Sequence, residues 1–247
     1  MLLSTPGLVL HTTPYSESSV VVKVFTRQLG VRSYIIKGVR GRGGRIKQNL
    51  LQPLSCLDMV VYNNEKTDLN YVKEVTKYQS DQVSESLDHS ATQSLSHSAT
   101  QNALRFFMTE VLYKALREAE PMPALFDYVE SINSQFSILN SQLPITFLLT
   151  VARHLGIEPL DNHSPREPLF DLQEGRFVAA PSETTLSPSL SESLHQYLST
   201  TQSLSDSATQ PLKSRRDLID ALITYYHLHL SGFAHFHSHE ILHTILK

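Results

Sequence analysis

The chain has 247 residues, a formal net charge of -3, 40% hydrophobic and 18% charged residues, a balance that fits a folded globular protein of one large domain or two modest ones. Its single cysteine, Cys56, excludes an intrachain disulfide and any multi-cysteine zinc site. The opening "MLLSTPGLVLH" lacks the basic start of a signal peptide and no apolar run reaches the ~18 residues of a membrane span, so a cytoplasmic protein is expected.

Strands come first along the chain. "LVLHTT" is short and apolar, and "SVVVKVFTR" is Val-rich and too short for a helix. "VRSYIIKGV" follows the turn residues Leu29-Gly30, and within it Arg32 and Tyr34 share a face by the two-residue period. "IKQNLLQ" reads as a short helical turn. "LSCLDMVVY" and "LNYVKEVTKY" are separated by the turn "NNEKTD". Five short strands within residues 1–78 suit a small β-barrel such as an OB-fold.

Helices follow. In "NALRFFMTEVLYKALREAE" the stripe Leu104, Phe107, Met108, Val111, Leu112 and Ala115 has helical spacing, with Asn102 as N-cap and Pro121 as terminator. "PALFDYVESINSQFSIL" is a second helix. "LPITFLLTVARHLG" is a third, with Pro144 near its start and Gly156 suited to a left-handed C-cap. "FDLQEGRFV" predicts a hairpin turning at Glu174-Gly175. "SPSLSESLHQYLST" is a weaker helix. "SRRDLIDALITYYHLHLSG" is a stronger one, with a capping-box-like start at Ser214 and Asp217. "SHEILHTILK" is the last. The fold class is therefore α+β: an N-terminal OB-fold barrel at 1–78 and a helical domain at 79–247. "SLSHSATQ" at 94–101 recurs as "SLSDSATQ" at 203–210 and in part as "DHSATQ" at 88–93. These Ser-rich stretches read as surface insertions near 80–101 and 200–211 that need not join a core.

Charge divides along the same line. Residues 1–78 carry net +6 and residues 79–247 net -9. From Ser18 to Leu57 there is no acid, yet there are eight cations: Lys23, Arg27, Arg32, Lys37, Arg40, Arg42, Arg45 and Lys47. Five of them lie in "KGVRGRGGRIKQN", among glycines that let backbone approach a ligand closely. A solvated cationic face is one reading. Phosphate neutralisation is the other, and the unbroken run favours it. Tyr34 then offers a ring for base stacking. No Gly-Lys-Ser/Thr follows the glycines, so nothing points to nucleotide hydrolysis.

"YSESSVVVKVFTRQLGVRSYIIKGVRGRGGRIKQNLLQPLSCLDMVVY" resembles the N-terminal domain of the bacterial RecO family of recombination mediators. "VLYKALREAEP", "FDLQEGRFV" and "YYHLHLSGF" continue the resemblance in order through the second half. It implies an OB-fold followed by a helical domain. It also implies binding to single- and double-stranded DNA, strand annealing, partnership with RecR, and loading of RecA onto strands coated by single-strand-binding protein (SSB), with no bond-making chemistry. The acidic tail of SSB would need cations of the helical domain: Arg105, Lys114, Arg117 and Arg153 offer them, and the equal alternative is that these cations only balance nearby acids such as Glu110 and Glu118 at helical spacing. Many relatives carry a four-cysteine zinc site near residues 157–178. That region has no cysteine here, so no such zinc is expected.

Two other classes stay open beside this. One is an OB-fold module for RNA or protein. The other is a zinc hydrolase built on "HEILH", in which His239 and His243 would bind metal and Glu240 act as base, with His235 or His237 as third ligand. The chain ends four residues after His243, which leaves little from which to build a cleft. His227 and His229 read as a partly exposed helix face, and Cys56 as a packed side chain.

Overall fold

The computed structural model describes residues 1–39, 48–64, 67, 69–78, 94–116, 120–134, 142–199 and 212–245. Five strands come first: β1 (Leu2–Pro14), β2 (Val20–Thr26), β3 (Gly30–Ile36), β4 (Cys56–Tyr62) and β5 (Leu69–Lys77). They close into a barrel in the order β1-β2-β3-β5-β4, with β1 pairing to both β2 and β4. Every pairing is antiparallel except β3 with β5. This is the expected OB-fold architecture, and a 3-10 turn at Gln48–Leu51 stands where "IKQNLLQ" predicted one.

β1 serves two neighbours because it is long and bent. Leu2–Leu8 run along β4 and Gly7–Pro14 along β2, with a shift of register between Val9 and His11. Such a bulge kinks a strand and adds local twist. Gly7 lies where the two pairings overlap. A Cβ there would sit 2.5 Å from Val24 Cγ1 and 3.1 Å from Met59 Sδ. The barrel interior follows the period of two: Val20, Val22 and Val24 meet Tyr34 and Ile36 of β3 and Leu57, Met59 and Val61 of β4. Burying each such side chain is worth roughly 1.5–3 kcal/mol.

The chain forms two compact units, Met1–Ile138 and Leu139–Lys247. The first holds the barrel with α1 (Ser94–Ala115) and α2 (Pro123–Ser134). Phe25, on the outer side of β2, meets Phe126 of α2 edge-on at 5.7 Å. Asn133 donates from Nδ2 to the Leu54 carbonyl at 2.9 Å. Tyr113 of α1 lies 5.1 Å from the His11 ring of β1.

The second unit holds α3 (Leu143–His154), a hairpin of β6 (Leu169–Asp171) and β7 (Arg176–Val178), α4 (Pro188–Ser199), α5 (Leu212–His229) and α6 (Ser238–Ile245). α3 ends as its glycine requires: Gly156 has φ +73, and the Ile157 amide reaches back to the Ala152 carbonyl at 3.0 Å. Tyr226 of α5 donates to the Leu148 carbonyl at 2.6 Å, and Tyr225 to that of Ile157 at 2.8 Å. The cysteine-free region 157–178 is closed by polar side chains. Asn162 donates to the Phe177 carbonyl and to Glu167, and accepts from the Phe177 amide at 2.8 Å. Asp171, 4% exposed, accepts from the Gln173 and Glu174 amides at 2.9 Å and from the hydroxyls of Ser182 and Thr184.

Three expectations about helix ends need correction. α1 begins at Ser94, inside the first "SLSHSATQ" copy, so that copy is helix and Asn102 lies within it rather than capping it. Extending an existing amphipathic helix costs little per residue once its nucleus exists. α1 also stops at Ala115, well before Pro121. α5 begins at Leu212, which places Ser214 and Asp217 inside it. The copies at 88–93 and 203–210, and residues 135–139 of the second predicted helix, lie outside the described residues.

Candidate nucleic-acid interface

The cations expected to meet phosphate differ in their surroundings. Lys37 follows the last residue of β3, is exposed, and holds its Nζ 5.2 Å from the Tyr71 ring centroid. Lys23 is half-buried and sits over the Tyr113 ring at 4.9 Å. Arg27 forms a two-pronged pair with Asp127 of α2, Nε to Oδ1 at 2.7 Å and Nη2 to Oδ2 at 2.9 Å. Arg32 is half-buried and donates to the Val31 carbonyl at 3.1 Å. Arg40, Arg42, Arg45 and Lys47 lie outside the described residues.

Tyr34 requires correction. Its side chain is 1% exposed and belongs to the barrel core. Burial pushes its phenol up to about 12, with Arg32 pulling the other way. The shared face with Arg32 is real, but it is the inner face, opposite Val22 and Val24. A ring held there cannot stack on a base. The exposed aromatic side chains of the strands are Tyr62 and Tyr71, 48% exposed each. Strand alternation marks both, since each adjoins an inward valine, Val61 or Val72.

Residues 1–80 match the family model described as "Recombination protein O N terminal". A protein of Christiangramia forsetii named "DNA repair protein RecO" is 29% identical over 242 residues, covering 94% of each chain. Proteins of the same name from Phocaeicola vulgatus and Porphyromonas gingivalis are 26% identical with 98% of each chain covered and 27% identical with 99% covered. The resemblance to RecO holds along nearly the whole chain. The family likeness falls on the residues that form the OB-fold barrel, and the likeness to proteins named for DNA repair continues through the helices that follow.

Two of the four cations assigned to the SSB tail are engaged with acids of their own. Lys114 Nζ lies 3.7 Å from Glu110 one helical turn earlier on α1, and Arg153 Nη2 lies 2.6 Å from Glu158. Arg105 is half-buried, and burial holds its guanidinium below its usual value. Arg117 lies outside the described residues.

At "HEILH" the rings of His239 and His243 stand perpendicular, 5.7 Å between centroids. His243 Nε2 lies 3.4 Å from Asp220 Oδ1 on α5. Burial pushes the Asp220 carboxyl up against the pull of His243 and His239, and it pushes the His243 imidazole down against the pull of Asp220. Glu240, His235 and His237 are exposed. Among the described residues no group of three or more His, Cys, Asp or Glu has the geometry to hold a metal ion. His227 and His229 each lie 2.8 Å from a backbone carbonyl, those of Phe233 and Leu172. Burial, with Glu130 and Asp58, pushes the Cys56 thiol up to about 12, away from the reactive thiolate form. No helix among the described residues is long and apolar enough to cross a membrane.

Proposed function

We propose that the chain is a DNA-binding, strand-annealing recombination mediator of the RecO type, acting by binding alone, without bond-making chemistry and without a resident metal. Residues 1–78 supply the nucleic-acid-binding part and residues 79–247 the helical part. The observation that carries this is the exposed Lys37 just past the end of β3, where the glycine-rich basic stretch begins. Lys37, Arg40, Arg42, Arg45 and Lys47 neutralise backbone phosphates of single or double strands. Arg32 flanks them, as do Lys23 and Arg27 once released from their present partners. RecR joins the complex, and the two together place RecA on SSB-coated strands in the bacterial cytoplasm, at the nucleoid. The acidic SSB tail binds cations of the helical part, for which Arg105, Lys114 and Arg117 are one candidate set and Arg153 another. Lys114 then exchanges Glu110, or Arg153 exchanges Glu158, for a carboxylate of the tail.

The test is annealing of complementary strands coated with SSB. The protein should speed annealing, and replacing Arg40, Arg42 and Arg45 together with Ala should abolish most of the gain. Chelator should leave the rate unchanged. Absence of any acceleration, or preferential capture of RNA over DNA in competition, overturns the proposal.

A further inference from the structure

Tyr62 closes β4, Tyr71 lies near the start of β5, and the two are direct cross-strand partners. Their neighbours Val61 and Val72 pack into the barrel core, so both tyrosines stand on its outer face. The rung continues to Ile35 of β3 on one side and to Leu2 of β1 on the other. Ile35 is buried, whereas Tyr62, Tyr71 and Leu2 are close to half exposed. The side chains of directly opposed residues start only about 4.5–5.5 Å apart at Cβ, so both tyrosines rise from one spot on the outer face of the barrel.

The cationic surroundings of this row indicate its occupant. Lys37 Nζ stands over the Tyr71 ring at 5.2 Å and is also the first cation of the glycine-rich basic run. Lys73, exposed, follows two residues after Tyr71, and the acid Glu74 lies past the irregularity in the β4–β5 ladder. Exposed rings with cations beside them suit a ligand that offers flat faces and negative charge together. Single-stranded nucleic acid does so, and every base has a stackable face. An apolar protein partner would leave these ammonium groups without a counterpart.

We propose that Tyr62 and Tyr71 form a stacking platform for bases of single-stranded DNA whose phosphates are met by Lys37 and Lys73 beside the rings. This rests on the reading of the chain as a nucleic-acid-binding protein. It moves the stacking role from Tyr34, which is buried, to the pair that the strand alternation turns outward. Duplex DNA keeps its bases stacked on one another, so the platform serves single strands alone.

The chain has no tryptophan, so its emission comes from its ten tyrosines, and loss of quenching in the single variants below isolates the share of Tyr62 and Tyr71. Saturating the protein with oligo-dT should quench part of that emission. Tyr62→Ala and Tyr71→Ala should each weaken oligo-dT binding about ten-fold, within the range for loss of one stacked base. Tyr62→Phe and Tyr71→Phe should bind as wild type, since the ring remains. The dependence on salt should be unchanged in all four variants, and duplex affinity should not move. Should the alanine variants fail to fold, Tyr→Leu variants keep the apolar contact area without the flat ring. Salt-dependent binding with no tyrosine quenching, or with unchanged affinity in the Ala or Leu variants, overturns the platform and leaves the phosphate reading standing. Binding that does not respond to salt overturns both.

Discussion

At the scale of the residue, Arg27 shows how a cation can be present and still be occupied. Its guanidinium faces the Asp127 carboxylate squarely, with both groups close to half exposed. Hydrogen bonding to Arg27 holds Asp127 below the ordinary Asp value of 3.8, although burial opposes it. An exposed pair of this kind adds little to folding. It matters more for binding, because a phosphate must displace the carboxylate before it can use the arginine. Asp127→Asn should therefore leave the unfolding midpoint nearly unchanged. It should strengthen single-strand binding, and the slope of log affinity against log salt should steepen by about 0.7, the share of one added phosphate. An unchanged slope in this variant, together with an unchanged slope in Arg27→Ala, would remove Arg27 from the interface. The sequence could not show this pairing, since the two residues stand one hundred positions apart. Tyr34 was out of reach for a related reason. A period of two tells which residues share a face, and only the closed barrel tells which face is inside.

At the scale of the element, the strands and most helices were legible from pattern, and the departures have local causes. The apolar pattern predicts β1 over "LVLHTT" alone, but the strand runs from Leu2 to Pro14, because β4 pairs with its first residues. Gly7 is the residue that permits this double pairing. Gly7→Ala should destabilise the barrel by about 1–3 kcal/mol, the usual cost of forcing a methyl group into a filled core. Urea unfolding followed by tyrosine emission measures it, and Gly7→Ala combined with Val24→Ala should recover part of the loss. The hairpin at Glu174-Gly175 was legible from its turn residues, whereas the Asp171 network beneath it was not. Burial pushes the Asp171 carboxyl up. Hydrogen bonds from Ser182, the Glu174 amide, Thr184 and the Gln173 amide outweigh this and hold it below 3.8. A depressed carboxylate adds stability that is full above the unfolded value and is lost as pH falls through the folded one. Asp171→Asn should cost about 2–3 kcal/mol at neutral pH. The gap from wild type should close in strong acid, where both are uncharged. A gap that stays constant with pH would mean that Asp171 acts through shape alone.

At the scale of the whole molecule, charge is distributed against its own total. A net charge of -3 would repel a polyanion, yet the first 78 residues carry +6 and the rest -9. That division was legible in the sequence and needs no fold to state. What the barrel adds is a point of departure: the basic run leaves β3 at Lys37, beside Tyr71. Screening at moderate salt confines each charge to about 8–10 Å, so the acidic remainder weakens local phosphate contacts only slightly. Binding should then behave as if the basic segment alone met the strand. With about four to six phosphates neutralised, log affinity for single strands should fall against log salt with a slope of roughly -3 to -4. Replacing Arg40, Arg42 and Arg45 with Ala removes three of those contacts and should flatten the slope by about 2. The loss should be the same for all base sequences, because phosphates carry none of the sequence information. A wild-type slope near zero would show that the positive half is only a solvated face. A normal slope that the triple variant leaves intact would move the phosphate contacts off the glycine-rich run, leaving Lys23, Arg27, Arg32 and Lys37 to make them.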